Sequence, residues 1–180
     1  MQSPTLAAVI HLAPLAASDA EWLGTLVAED SGGANGIPRP ASAGACAAWM
    51  RGALDQVARG SALLFGVYAG DGRPMGTIRL SRTPRDARRG QLSYWIAPAW
   101  RRRGHATASV RLMVEMAFAR WGMDAIEAYV RPDNAASAAV LMKNGFVFQH
   151  SIEGALVAGA SLGGNRGETV RMWEIARALQ

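Results

Sequence analysis

Tyr94-Trp95-Ile96-Ala97-Pro98-Ala99-Trp100-Arg101-Arg102-Arg103-Gly104-His105-Ala106-Thr107 combines three local signals within fourteen residues. A strand-like run stops at a proline, three arginines fill the turn, and a helix begins at a glycine. The first amides of a helix have no partner inside it, and the helix dipole adds positive potential at the same end. An anion is stabilised there. Gly104 has no Cβ, so an anion can approach the backbone closely. Arg101, Arg102 and Arg103 raise the field and can pair with phosphate oxygens. The competing reading is a solvated charge run at a helix start. The combination of turn, glycine and helix favours a diphosphate.

The flanking segments give the elements around this turn. Residues 104–121 place Val110, Met113, Val114, Ala117, Phe118 and Trp121 on one helical face, and Gly122 ends the helix. Residues 124–130 read as a strand, broken by Pro132. Asp133 or Asn134 caps a short helix to Asn144, Gly145 supplies a left-handed residue, and 146–152 returns as a strand. After a loop around Gly163-Gly164-Asn165, 168–176 is the last strand. On the N-terminal side, 91–97 is the strand that Pro98 stops, preceded by the charged connection 82–90. Residues 62–69 and 75–82 form an antiparallel hairpin across Gly70-Asp71-Gly72. Ser42 caps a helix that Gly60 ends, and 31–40 is a loop rich in Gly and Pro. Ser18-Asp19-Ala20-Glu21 has the capping-box pattern, with Ser18 as the cap of a helix to Glu29. Residues 6–12 read as the first strand. Without repeats or linkers, one α/β domain over 1–180 is expected.

Half of the 180 residues are hydrophobic, enough to bury a full core without staples. Cys46 is the only cysteine, so no internal disulfide forms, and a reducing compartment is favoured. The apolar opening 6–15 has no Lys or Arg in 1–5 to serve as a signal-peptide n-region. No apolar run approaches the roughly 20 residues that span a bilayer. The cytoplasm is the expected location. Formal charge is +5, nearly all arginine, since Lys143 is the only lysine. Arg82, Arg85, Arg88 and Arg89 form a second basic cluster, but neither aromatic interleaving nor a recognition-helix pattern points to nucleic acid. There is no cysteine pair and no His-x3-His, and His11, His105 and His150 are far apart, so no metal is expected. Cys46, among alanines in a helix, reads as a buried structural thiol.

Arg101-x-x-Gly104-x-Ala106 resembles the Gln/Arg-x-x-Gly-x-Gly/Ala motif of the GNAT superfamily of acetyltransferases, which cradles the coenzyme A pyrophosphate. The Tyr94-Trp95-Ile96 strand resembles that of the RimJ/RimL-like subgroup, which acetylates ribosomal-protein N-termini. Pro132-Asp133-Asn134-Ala135-Ala136-Ser137, followed by Lys143-Asn144-Gly145-Phe146, is similar to the subgroup's Asn-x-x-Ser…Gly-Phe signature. The N-terminal half is similar more loosely, through 19–26, Ser42…Trp49 and 65–79. This resemblance implies a mixed, mostly antiparallel sheet of six to seven strands flanked by about four helices, with a splayed central strand pair. It implies acetyl-CoA as cosubstrate and acetyl transfer to a primary amine by direct attack in a ternary complex. The amine is a protein N-terminus or a small molecule. Neither nucleic acid nor a membrane is an expected partner, and a monomer or homodimer is expected.

Under the same resemblance, Trp95, Ile96 and Ala97 offer backbone groups to the pantetheine arm in the gap between 91–97 and 124–130. The Ile96 N–H serves as oxyanion donor. Arg101, Arg102, Arg103, Gly104, His105, Ala106 and Thr107 hold the pyrophosphate, with Lys143 as a further coenzyme contact. Asn134 binds the pantetheine amides, and Ser137 gives a proton to the departing thiolate. Both also suit plain helix capping. The subgroup often has glycine where Arg102 stands, and glutamate at the positions of Gln91 and Ala108. Gln91 cannot act as a base. Glu127, on the strand lining the gap, is then the best-placed carboxylate, unless it simply faces outward. His11, His105 and His150 are alternatives by residue type. Water can also relay the proton from an α-amino group, which titrates near 8. The missing carboxylate at Gln91 motivates a second possibility, a coenzyme-binding module without turnover. The loops 31–40, 83–90 and 159–166 would wall the acceptor site.

Overall fold

The computed structural model describes residues 9–30, 43–153 and 169–177. Among these residues, seven strands form one sheet in the order β1-β2-β3-β4-β5-β7-β6. They are β1 (Ile10–Pro14), β2 (Ala62–Ala69), β3 (Pro74–Arg82), β4 (Arg89–Ile96), β5 (Ala125–Val130), β6 (Val147–Ile152) and β7 (Val170–Ala176). Four helices accompany them among the described residues: α1 (Ala20–Ala28), α2 (Ala43–Ala58), α3 (His105–Arg120) and α4 (Ala135–Lys143). Every strand pair is antiparallel except β4 with β5. That one parallel step is bridged by α3, as a crossover between parallel strands requires. The expected mixed sheet and helix complement are present.

Two apolar layers hold the sheet. On one face, Val110, Met113 and Ala117 of α3 and Leu141 of α4 pack on Ile78, Leu80, Leu92, Ile126 and Ala128. On the other, Leu23 and Val27 of α1 and Met50 of α2 pack on Leu64 and Trp95. Each such Val, Leu, Ile or Met side chain, fully buried, contributes about 1.5–3 kcal/mol. The alternation along β4 therefore divides it between the layers, Leu92 and Ile96 facing α3 while Trp95 faces α1 and α2. Cys46 is buried in the second layer, where desolvation pushes its thiol up.

Most element edges shift from the sequence expectation by a residue or two, and two differences go further. The first strand runs over Ile10–Pro14 rather than 6–12, pairing Ile10 with Ala69 and Pro14 with Phe65; residues 6–8 lie outside the described ones. Pro14 fits because β1 is an edge strand and needs no full set of N–H groups. Ser18 is not the cap of the next helix. The chain enters α1 through a 3-10 turn, Ala17–Asp19, and the Ala16 N–H donates to Asp19 Oδ2 at 2.7 Å. Asp19 Oδ1 accepts from Trp22 Nε1 at 2.9 Å. Asp19 thus reaches back to the amide before the 3-10 turn, and no side-chain hydrogen bond caps α1 itself. The Ser42 cap and the loops 31–40 and 159–166, with Gly163-Gly164-Asn165, lie outside the described residues.

Candidate active site at the open edge of β4

β4 and β5 pair over only three positions, Arg89↔Ala125, Gly90↔Ile126 and Gln91↔Glu127, and then part. On its other side β4 stays paired with β3 up to Gly76↔Ile96. The Ala97 N–H continues that ladder, donating to the Met75 carbonyl at 2.8 Å. In an antiparallel ladder such bonds fall on alternate residues. Ser93, Trp95 and Ala97 accordingly face β3 with their amides, and the Tyr94 and Ile96 amides face the gap. The structure does not bring Ala97 to the cleft with the others: its N–H is taken, it is fully buried, and it is not among the lining residues.

The gap opens into a cleft of about 920 Å³ between β4, α3 and α4. Its lining includes Trp95, Ile96, Arg101, Arg102, Gly104, His105, Ala106, Thr107, Asn134, Ser137 and Lys143 among the residues expected from sequence. Tyr94, Trp100, Arg131 and Val140 also line it. At its base a 3-10 turn, Pro98–Trp100, leads into Arg101 at φ −69 and ψ 162. Arg102 follows at φ 62 and Gly104 at φ 83, and α3 begins. Two left-handed positions in three residues turn the chain sharply into the start of α3, whose first amides lack helical partners and suit an anion. A Cβ added at Gly104 would meet nothing within 4 Å, so the residue faces open space.

The three arginines have separate surroundings. Arg101 Nε donates to the Ile96 carbonyl at 2.8 Å, and its Nη2 is ion-paired with Asp30 Oδ2. Asp30 is buried and also accepts from Trp95 Nε1 at 2.8 Å. Arg101 therefore ties the turn to the end of α1, a structural engagement the sequence expectation lacked. Arg103 does not line the cleft; its guanidinium lies 5.8 Å from the Trp100 ring centre. Arg73 lies over the same ring at 4.8 Å. His105 packs edge-on to Trp100 and is buried, its Nδ1 without a partner among the described residues. Burial, and then the Arg103 charge, hold its imidazole below the ordinary value, favouring the neutral ring.

Across the cleft, Asn134 caps α4: its Oδ1 accepts from the Ser137 N–H at 3.0 Å. Asp133, the other candidate cap, is ion-paired with Arg131 at 2.8 Å. The Ser137 hydroxyl plays no part in the cap. It lies 3.0 Å from the Tyr94 phenol oxygen, and the phenol is also 3.2 Å from the Ser137 carbonyl. Burial, opposed by the bond to Ser137, pushes the Tyr94 phenol up to about 12. Asn144 Nδ2 donates to the Thr107 carbonyl at 3.2 Å and to the Val140 carbonyl at 2.8 Å, joining α4 to α3.

Residues 10–147 match the profile of the family described as acetyltransferase (GNAT) domain. The chain belongs to the GNAT acetyltransferase family. No curated protein sequence matches it. Among solved GNAT structures it is similar to RimL, the ribosomal L7/L12 alpha-N-protein acetyltransferase, in complex with coenzyme A. There the TM-score is 0.79 at 18% identity, covering 96% of each chain. Mycobacterium smegmatis RimJ in complex with a CoA disulfide gives 0.77 at 23% identity, covering 94% of this chain and 83% of that one. A chimera of the spermidine N-acetyltransferase SpeG from Vibrio cholerae and hSSAT gives 0.72 at 16% identity, covering 93% and 95%. At these identities the likeness is one of fold.

Several expected GNAT site residues do not gather at the cleft. Glu127 is absent from its lining. It sits on the last rung where β4 and β5 are still paired, between Gln91 and Glu174, on the sheet face away from α3. Tyr129 shares that face, and its phenol is pushed up to about 12 by burial and then by the Glu127 charge. His11 is on the edge strand β1, stacked on Tyr68, and His150 is exposed on the opposite edge strand β6. Trp100 and Tyr94 are among the cleft residues missed from sequence. Trp100 offered no signal beyond being aromatic. Tyr94 did: it shares with Ile96 the alternation that turns both toward the gap.

Because Asn134 carries the cap, two substitutions separate its roles. Asn134→Ala should cost about 1 kcal/mol of stability, and Asn134→Asp should restore it, since the carboxylate also accepts from the Ser137 amide. Thermal melts of the two variants check this.

Proposed function

We propose that this protein transfers the acetyl group of acetyl-CoA to a primary amine, by direct attack in the cleft between β4 and α4. One observation carries the reading: the left-handed turn 101–104 opens at Gly104 beside the strand edge where the Tyr94 and Ile96 amides lack a β5 partner. A diphosphate suits the turn and an amide-bearing arm suits the strand edge. The ternary mechanism needs both substrates aligned, and such positioning reaches effective molarities of roughly 10⁵ M or more. The Ile96 N–H is then the oxyanion donor. Ser137, at the wall of the cleft, gives its proton to the thiolate. Glu127 is the proposed base, acting through water across the last paired rung. The RimL and SpeG likenesses support an amine acceptor, on a protein N-terminus or a small molecule, and the cytoplasm is the proposed setting.

Arg102 tests the phosphate part. A non-glycine residue in the left-handed region costs about 1–3 kcal/mol. Arg102→Gly releases that strain but frees the unfolded chain by about 0.4–1 kcal/mol, so stability should hold or rise by up to about 2 kcal/mol. The amides of the turn remain, and one cation is lost. Calorimetry should then show weaker acetyl-CoA binding with a shallower dependence on salt. Wild-type protein should bind pantetheine, which lacks the phosphates, far more weakly than acetyl-CoA. Equal, salt-independent affinity for both ligands would remove the turn from the site. Tight acetyl-CoA binding without thiol release on any amine would instead favour a coenzyme-binding module, the reading that Gln91 motivates.

A further inference from the structure

Strand alternation delivers Tyr94 to the α4 side of the gap, where its phenol oxygen lies 3.0 Å from Ser137 Oγ and 3.2 Å from the Ser137 carbonyl. Both residues line the cleft. The phenol has one proton and two acceptors within reach, and the serine hydroxyl has one proton of its own. If the phenol donates to the carbonyl, the two hydroxyls stay bonded only when Ser137 donates to the phenol. Its proton is then turned from the cleft. If the phenol donates to Oγ, the serine proton can point into the cleft. Rotation of one O–H thus sets whether Ser137 is a donor.

We propose that Tyr94 is a positioning residue for acetyl transfer, aiming the Ser137 hydroxyl at the leaving sulfur and replacing its proton as it departs. This rests on Ser137 being the proton donor. A serine hydroxyl is a weak acid, and the alkoxide it would leave is a costly unpaired charge. A phenol beside it removes the need for a free alkoxide, because a phenol is the more acidic of the two groups. The step balances. The C–S bond of the tetrahedral adduct breaks and its electron pair goes to sulfur. Sulfur takes the Ser137 proton, Oγ takes the Tyr94 proton, and the phenolate recovers a proton released by the amine. The phenol keeps its proton until then, because burial holds its pKa high.

The test titrates the thiol of bound coenzyme A by thiolate absorbance, with the complex of desulfo-coenzyme A as blank. Wild type, Tyr94→Phe, Ser137→Ala and the double variant are compared. Donation to a thiolate lowers the pKa of its thiol. The midpoint should rise by about one pH unit in each single variant and no further in the double variant. Arg101, Arg102, His105, Arg131, Asp133 and Lys143 also line the cleft, but all four proteins share them, so the difference reads the pair. With the amine giving the fastest thiol release, Tyr94→Phe should lower kcat roughly tenfold or more and leave the acetyl-CoA KM within about threefold. A purely structural tyrosine would instead move the melting temperature and KM. A midpoint raised in Ser137→Ala alone overturns the role of Tyr94 and leaves that of Ser137. No rise in either variant overturns the Ser137 donor and Tyr94 with it. Additive rises would give Tyr94 its own contact with sulfur and overturn the positioning role.

Discussion

Gly104→Val should lower acetyl-CoA affinity by roughly a hundred-fold or more while the protein remains folded. Gly104 is at φ 83, where a branched side chain is strained. That strain costs about 1–3 kcal/mol, which a domain of this size can tolerate. No atom within 4 Å opposes the new Cβ, so the core is undisturbed. The cost falls on the ligand. The valine methyls fill the space through which a diphosphate approaches the turn amides, and hydrogen bonds to a charged group are worth about 1.5–3 kcal/mol each. Losing two gives the stated factor, since about 1.4 kcal/mol is tenfold. Gly104→Ala, with one methyl, should fall between. Calorimetry with circular dichroism on the same preparation checks both, and unchanged affinity in a folded valine variant would move the diphosphate elsewhere.

Ser137→Ala should lower kcat by about ten- to a thousand-fold, overlapping the roughly 10²–10⁴ that general acid catalysis contributes. The acetyl-CoA KM should barely change, because the phosphate turn and the Asn134 side chain are intact. Stability should fall by only about 1 kcal/mol, for one lost hydrogen bond to Tyr94. The helix cap survives because Asn134 accepts from the backbone N–H of Ser137, which alanine keeps. Melting temperature and kcat measured together separate the possibilities. A variant with full turnover would make the Ser137 hydroxyl a structural partner of Tyr94.

Local patterns made much of this fold legible. The glycines ending α2, α3 and α4, Gly60, Gly122 and Gly145, all have positive φ, as their places in the sequence imply. The β2–β3 hairpin and the apolar face of α3 followed from period-2 and period-3.6 spacing. Contacts distant along the chain were not legible. Arg101 finds Asp30 across 71 residues, and Tyr94 finds Ser137 across 43, and no local pattern encodes either. Motif position alone therefore gave Arg101 to the phosphates, although its guanidinium is engaged by a buried carboxylate. Arg103 shows a nearer failure: Trp100, three residues back, offers its ring face.

Ala97 is a different case, because its signal was present. Once the Ile96 amide is turned to the gap, alternation sends that of Ala97 to β3. Glu127 depended on register. A shift of a single rung in the β4–β5 pairing would change whether it meets Gln91 or the opening beyond, and sequence does not fix that rung. Asp133 and Asn134 are equally good caps by residue type. The choice falls to Asn134 because Arg131, two residues before Asp133, engages that carboxylate.

Following free thiol with acetyl-CoA and a panel of amines tests acetyl transfer to an amine directly. The panel holds polyamines, aminoglycosides and peptides with varied N-termini, with the acetylated product identified by mass spectrometry. At least one amine should release thiol in step with its own acetylation, and the rate should collapse in Gly104→Val. Tight acetyl-CoA binding with no acetylated amine across the panel would instead make the protein a coenzyme-binding module without transfer.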